Sequence, residues 1–293
     1  MNRTVGVIGL GIMGSAMAAN LVKSGFRVVG YDVLPQARRA FTRAGGVAAR
    51  SGADVARRAP IVITSLPSVA AMASVAAEIA AVRRRDSIIV ETSTLPLDAK
   101  DAARSVLAPA GKTLLDCPLS GTGAQARAKD LAVYASGPRA AYRACREVFE
   151  GFARVHYYVG GFGAGSKMKY VANLLVAIHN VAAAEAFTLA RKAGLEPALV
   201  LKVVGDGAGS SRMFQIRGPM MVKQRYGDAT MKIEVWQKDM RIIGEFAAKL
   251  GCPTPLFATC APIYTAAMAS GHAQRDTAAV CAVLGEMAGI RKR

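Results

Sequence analysis

The sequence is short of the residues on which several common chemistries depend. It holds three histidines, one tryptophan and five cysteines in 293 residues, and its 20 acidic residues are outnumbered by 38 lysines and arginines. His156, His179 and His272 lie far apart, and none pairs with Cys, Asp or Glu at ligand spacing, so no metal site is expected. Cys117, Cys145, Cys252, Cys260 and Cys281 form no Cys-x-x-Cys pair, and no charged start with an apolar run precedes the first β-branched segment. Both features predict a reduced, cytoplasmic protein. Neither a Gly-x-Ser-x-Gly elbow nor a Gly-x-x-x-x-Gly-Lys-[Ser/Thr] loop is present, which disfavours serine hydrolysis and nucleoside triphosphate hydrolysis. The apolar stretch 171–190 is interrupted by Asn173, His179, Asn180 and Glu185, so it is expected as a buried helix and no membrane span is predicted.

Aromatic residues make up only 6% of the chain, and the basic runs Arg83-Arg84-Arg85 and Arg291-Lys292-Arg293 contain none. A single-strand nucleic-acid binder would interleave the two, so nucleic acid is not the expected partner. The formal charge of +18 fits a positive field that draws in small anions.

What is present is enough apolar material, 52% of residues, to bury two domains. The first half alternates β-branched runs with alanine-rich helical stretches, the pattern of a Rossmann-type α/β domain with a parallel, doubly wound sheet. Expected strands are Thr4–Gly9, Arg27–Asp32, Pro60–Leu66, Ser87–Glu91, Thr113–Cys117 and Ala132–Ala135. The alternation then stops and an all-α C-terminal domain follows, its helices separated by Gly and Pro signals. The boundary falls near 160–166, giving domains 1–163 and 164–293. The glycines of 160–165 form a candidate hinge before a long helix.

The first strand runs into Gly9-Leu10-Gly11-Ile12-Met13-Gly14 and then a helix, the context a dinucleotide fingerprint requires. The first glycine permits a tight turn, the second a close approach to pyrophosphate, and the third close packing of helix and strand. Phosphates would sit at the helix N-terminus, against unpaired N–H groups and the positive end of the dipole. Asp32, at the end of the second strand, is placed to accept from the ribose hydroxyls. That favours NAD over NADP, although Arg38 and Arg39 are near enough in sequence to neutralise a 2′-phosphate.

Two further segments extend this pattern. Asp116-Cys117-Pro118-Leu119-Ser120-Gly121-Thr122 offers N–H groups and hydroxyls past a strand end, which suits a carboxylate; the same residues also fit an ordinary turn with Ser120 as a helix cap. Gly163-Ala164-Gly165-Ser166-Lys167-Met168-Lys169-Tyr170-Val171-Ala172-Asn173 opens the long helix. Lys169 and Asn173 share a face there, with Lys167 roughly 200° away from Lys169.

Together these segments resemble the 3-hydroxyisobutyrate dehydrogenase branch of the β-hydroxyacid dehydrogenases across nearly the whole chain. The resemblance implies an NAD(P)-dependent oxidoreductase that interconverts a small anionic β-hydroxyacid and its semialdehyde or keto form. It implies Lys169 as general acid/base, with burial lowering its pKa. Ser120, Gly121, Thr122 and Asn173 would hold substrate. Leu66-Pro67, Ser93-Thr94 and Lys238-Asp239 resemble further cofactor contacts, Lys238 reaching across the domain cleft; taken alone they fit a turn, a cap and a surface pair. A homodimer or homotetramer is implied as well.

Three departures stand out. Thr122 replaces the family's usual second glycine of Ser-Gly-Gly and bears on substrate choice. Leu174 replaces a frequent second asparagine. Val176 stands where the related 6-phosphogluconate dehydrogenases carry a glutamate, so oxidation without built-in decarboxylation is expected. Arg212, in the segment Gly207–Phe214, is a candidate for a second anionic group of the substrate. A catalytically inactive nucleotide-binding scaffold and an imine reductase are the alternatives, and retention of Lys169 argues against both.

Overall fold

The computed structural model describes residues 3–290, so the basic run at 291–293 lies outside the described residues. The chain divides after Lys169 into two compact units. The first contains β1 (Thr4–Ile8), α1 (Ile12–Lys23), β2 (Arg27–Tyr31), α2 (Pro35–Arg43), β3 (Val47–Ala48), α3 (Gly52–Arg58), β4 (Ile61–Thr64), α4 (Val69–Ala80), β5 (Ile88–Glu91) and α5 (Leu97–Leu107). It continues through β6 (Thr113–Asp116), β7 (Leu119–Ser120), α6 (Gly123–Arg127), β8 (Ala132–Ser136), α7 (Arg139–Ala144), α8 (Arg146–Phe152) and β9 (Val155–Gly160).

These strands form one sheet in the order β3-β2-β1-β4-β5-β6-β8-β7, with β9 on β8. The central strands are apolar on both faces because helices cover both. Val5, Val7, Val28 and Ile63 pack with Met17, Leu21 and Phe149 on one side; Ile8, Val29, Val62 and Ile89 pack with Val55, Ile79 and Leu107 on the other.

The pairing β3-β2-β1-β4-β5-β6 is parallel throughout, but β8 runs antiparallel to both β6 and β7. The expected parallel, doubly wound sheet is present, with β8 as an antiparallel addition toward one edge. The links from β6 to β7 and from β7 to β8 are too short for ordinary parallel crossovers. Three strands escape the sequence pattern. β3 and β7 are two residues long, and β9 sits half-buried at an edge, where alternation is weak.

The helix α9 (Ala164–Lys192) begins in the first unit and continues into the second, which adds α10 (Pro197–Gly205), α11 (Arg212–Lys223), α12 (Ile233–Lys249), α13 (Pro255–Ala269) and α14 (Val280–Met287). Phe187 stacks on Phe214 at 5.0 Å. Asn180 donates to the Tyr264 hydroxyl and the Thr277 carbonyl, each at 2.9 Å, and Arg217 pairs with Asp276 at 3.2 Å. Among its described residues the regular elements are helical apart from one isolated bridge, Lys232 to Asp276. Among the described residues α9 is the one helix long and apolar enough to cross a membrane, with 39% of its apolar window buried.

Candidate active site

The parallel strands end in register. Ile8 pairs with Tyr31 on one side and Thr64 on the other, Thr64 with Glu91, and Glu91 with Asp116. The residues that follow this row, on five adjacent strands, therefore emerge along one carboxyl edge, where open α/β sheets bind ligands. β2 and β6 are four strand spacings apart, about 19 Å, a span suited to an extended dinucleotide.

The glycine loop lies at the middle of that edge. Gly9 has φ +89°, and a Cβ there would sit 2.1 Å from the Ser65 carbonyl oxygen. A Cβ on Gly14 would lie 1.9 Å from the Gly9 carbonyl oxygen, so the start of α1 can approach β1 only without a side chain. Gly11 is different: a Cβ there meets nothing within 4 Å. α1 has neither a side-chain cap nor an acidic residue in its first turn. Its leading N–H groups and the open space at Gly11 fit a diphosphate. Leu10 is buried, with its side chain in the core, whereas Ile12 is 68% exposed and Met13 is half-buried.

Asp32 follows β2 and holds this loop in place. Its Oδ2 accepts the Leu10 N–H at 2.7 Å and its Oδ1 accepts the Leu34 N–H at 2.8 Å. Arg38 turns back on the same segment. It donates to the Asp32 and Val33 carbonyls, at 2.5 and 3.2 Å, and lies over the Tyr31 ring. Leu66 and Pro67 follow β4, and the Leu66 N–H donates to the Ser93 hydroxyl at 2.8 Å. Thr94, after β5, is half-buried.

Ser120 ends β7, and Gly121 has φ +137°, with a Cβ there only 2.6 Å from Leu131. The helix cap at this turn is Thr122. Its hydroxyl accepts the Gln125 N–H at 3.4 Å, while Gln125 Oε1 accepts the Thr122 N–H at 3.0 Å, a reciprocal capping box for α6. Both polar groups of Thr122 are thus engaged locally, and the Ser120 hydroxyl is not the cap.

α9 is seated on the same edge of the first unit. Gly165 packs so closely that a Cβ would lie 2.4 Å from the Tyr134 carbonyl oxygen and 2.6 Å from that of Asp116, so this glycine serves packing. Lys169, one turn further, is half-buried while Lys167 is exposed. Within the second unit, Asn173 is 4% exposed and donates to Asp239 Oδ2 at 2.9 Å. Lys238 lies 3.4 Å from Asp239 Oδ1. Arg212 is the exposed first residue of α11.

The first unit therefore brings the glycine loop, Asp32, Leu66, Pro67, Thr94, Ser120 and Gly121 to one edge, and the second groups Asn173 with Lys238. The sequence pattern did not single out Asp239 as the partner of Asn173, nor Lys100, Ser136 and Ser166 as partners of Asp116. Of the Asp116 group, Asp116 itself and Ser166 stood inside sequence motifs, neither with a role of its own. Among the described residues no group of three or more His, Cys, Asp or Glu is arranged to hold a metal.

Comparison with known proteins follows the same division. The family described as the NAD binding domain of 6-phosphogluconate dehydrogenase matches residues 4–160, and that described as NAD-binding of NADP-dependent 3-hydroxyisobutyrate dehydrogenase matches residues 163–284. L-Threonate dehydrogenase of Cupriavidus necator is 33% identical over 284 residues, covering 96% of this chain and 95% of that one. Mitochondrial 3-hydroxyisobutyrate dehydrogenase of Rattus norvegicus is 30% identical, covering 96% and 87%. The solved structure of Mycobacterium tuberculosis 3-hydroxyisobutyrate dehydrogenase with L-serine superposes with a TM-score of 0.89 at 28% identity, covering 97% of this chain and 99% of its own.

Proposed function

The chain belongs to the β-hydroxyacid dehydrogenase family, and from that premise we propose that Lys169 exchanges the proton in its reaction. The protein is an NAD(P)-dependent oxidoreductase acting on a CH–OH group of a small hydroxyacid. The observation that carries the assignment of Lys169 is the seating of α9 on the carboxyl edge that also bears the glycine loop. It supports a lysine placed toward the same ligand.

A bound nicotinamide dinucleotide supplies the hydride acceptor or donor. The neutral Lys169 amine takes the hydroxyl proton in oxidation, and its ammonium returns that proton to the developing alkoxide in reduction. Asn173, one helical turn on, orients the hydroxyl. The Ser120 hydroxyl and the Gly121 N–H hold the carboxylate, and Thr122, its polar groups spent on the cap, turns its methyl to the substrate. The leading N–H groups of α1 hold the diphosphate. Leu66, Pro67, Thr94 and Lys238 complete the cofactor contacts. Asp32 favours NAD, because a 2′-phosphate would meet its carboxylate.

The substrate class we infer is the one named in the relatives, a short-chain hydroxyacid such as threonate or 3-hydroxyisobutyrate. Five free cysteines support a cytoplasmic protein. The exposed Leu189, Leu195, Leu199 and Val203 support a homo-oligomer, which light scattering on the purified protein tests.

The deciding assay follows absorbance at 340 nm with NAD and NADP across a panel of short hydroxyacids and semialdehydes, for wild type, Lys169→Ala and Lys167→Ala. Loss of on the order of 10² to 10⁴-fold in kcat is expected at Lys169, with Lys167→Ala unaffected. Equal activity in Lys169→Ala and wild type sinks the assignment.

A further inference from the structure

Beneath the first turn of α9 lies a charged cluster that hydride and proton transfer leave unused. Glu91 and Asp116, the last residues of β5 and β6, are cross-strand partners, so their side chains leave the same face about 4.8 Å apart. Both are sealed from water, at 1% and 0% exposure. Like charges so placed repel. Lys100, from the first turn of α5 and itself 0% exposed, enters between them. Its Nζ lies 2.6 Å from Glu91 Oε2 and 2.7 Å from Asp116 Oδ1, and it donates to the Ser93 carbonyl at 2.8 Å. Burial alone would push the Lys100 ammonium toward deprotonation, but the two carboxylates outweigh it and hold its pKa above the ordinary lysine range.

The other side of Asp116 faces α9. Its Oδ2 accepts the Ser166 N–H at 2.7 Å and the Ser136 hydroxyl at 3.2 Å, and its Oδ1 accepts the Ser166 hydroxyl at 2.8 Å. Ser136 Oγ in turn accepts the Gly165 N–H at 2.9 Å. Gly165 and Ser166 are the second and third residues of α9, whose N–H groups a helix start leaves without intrahelical partners. The residue before the helix is Gly163, which has no side chain to cap them. One lysine and two carboxylates leave a net charge of −1 against the positive end of a 29-residue helix.

We propose that Asp116, held between Lys100 and the start of α9, caps that helix from a neighbouring strand and so acts as the positioning residue that sets the height and rotation of Lys169. A helix slipped by one residue moves 1.5 Å along its axis and turns each side chain by about 100°, and a misplacement of about 1 Å at a reacting group costs on the order of 10²-fold. The proposal rests on Lys169 being the proton-exchanging group.

The test compares Asp116→Asn, Ser166→Ala and Lys169→Ala with wild type by steady-state kinetics on the hydroxyacid that turns over. Cofactor Kd is measured by fluorescence and folding by circular dichroism. Asp116→Asn puts an N–H₂ or a single oxygen where two acceptors stood. It is expected to lose on the order of 10²-fold in kcat, with hydroxyacid KM and cofactor Kd within about threefold. Ser166→Ala keeps the backbone cap and is expected to lose less than about fivefold. A folded Asp116→Asn with wild-type kcat overturns the proposal, as does one in which kcat, KM and Kd worsen together. Where Asp116→Asn does not fold, Ser136→Ala removes the Gly165 acceptor and the hydroxyl that donates to Asp116 while keeping the carboxylate, and should show the same split at about three- to tenfold; an unchanged kcat there overturns the proposal. Turnover retained in Lys169→Ala strikes instead at the lysine assignment, whatever Asp116→Asn does.

Discussion

Asn173 donates its side-chain N–H to Asp239 Oδ2 at 2.9 Å, and both residues are about 95% removed from solvent. The carboxylate thereby fixes which end of the amide is turned away from it, leaving the Asn173 oxygen to face elsewhere. Asp239→Ala strips this acceptor from a buried donor and is expected to cost about 1–3 kcal/mol, read as a lower midpoint in urea. It should also lose about tenfold in kcat/KM, near the 1.4 kcal/mol equivalent of one such bond. Asp239→Asn, which retains an oxygen, should recover most of both. A stable Asp239→Ala with full activity would show that the contact does nothing for Asn173.

The three glycines of the nucleotide loop should separate stability from binding. Gly14→Ala drives a methyl into the Gly9 carbonyl, so it is expected to lose about 3 kcal/mol or more of stability. Gly11→Ala enters open space. Its unfolding free energy should stay within about 1 kcal/mol of wild type, while NAD binding weakens about tenfold because the methyl occupies the diphosphate's approach. Calorimetry of both variants with and without NAD distinguishes the two effects, and an unaltered NAD affinity in Gly11→Ala rules out phosphate contact at that position.

Asp32 does two things at once. Its oxygens accept the Leu10 and Leu34 N–H groups, and in the proposed function its charge would repel a 2′-phosphate. Asp32→Asn is expected to shift the NADP-to-NAD ratio of kcat/KM upward by about tenfold, the size of one charge interaction at the surface. The price is a weaker hold on the glycine loop, visible as poorer binding of NAD. No change in the ratio would assign cofactor choice to other residues.

Asp276 predicts an acid limb. Burial alone would push its carboxyl up, but the Arg217 guanidinium at 3.2 Å and the N–H groups of Ala278 and Met231, with Thr230, outweigh burial and hold it below the ordinary 3.8. A depressed carboxyl contributes stability that is complete above its unfolded pKa and lost as pH falls through the folded one. Asp276→Asn should therefore be destabilised at pH 7, by about 3 kcal/mol or more since it leaves Arg217 buried without its charge partner. It should also lose less further stability than wild type on going below about pH 4. Urea unfolding at several pH values checks this, and parallel acid limbs would exclude Asp276 as their source.

The features legible in the sequence are those written in local spacing. Gly9, Gly11 and Gly14 follow a strand and open a helix; at Gly9 and Gly14 the backbone leaves no room for a Cβ, whereas at Gly11 the space is open for a ligand. β1, β2, β4, β5 and β6 were visible as apolar runs because both their faces are covered. Lys169 was separable from Lys167 because two residues on a helix are on nearly opposite sides, and the exposure of Lys167 follows that geometry. Contacts between distant segments left no such trace. Asp239 lies 66 positions from Asn173, and nothing near either residue encodes the pairing. Lys100 sits on an amphipathic helix, where a lysine ordinarily marks the solvent side; only the register of β5 against β6 reveals that two carboxylates await it. Similarly, the turn at Ser120 suited a cap, and the fold gave that task to Thr122 because Gln125 stands three residues on.

Thr122 also ties the turn after β7 to more distant parts of its unit. Its capping partner Gln125 donates to Asp130 Oδ2 at 3.1 Å, and Asp130 Oδ1 accepts from Arg154 Nε at 2.6 Å. A glycine at position 122, as in the family's usual Ser-Gly-Gly, would keep the N–H that donates to Gln125 Oε1 but remove the hydroxyl that accepts the Gln125 N–H, so half of the capping box at the head of this relay would be lost. Transplanting Ser-Gly-Gly into this background alone therefore removes a helix cap as well as a side chain at the turn, and should not reproduce a relative's behaviour.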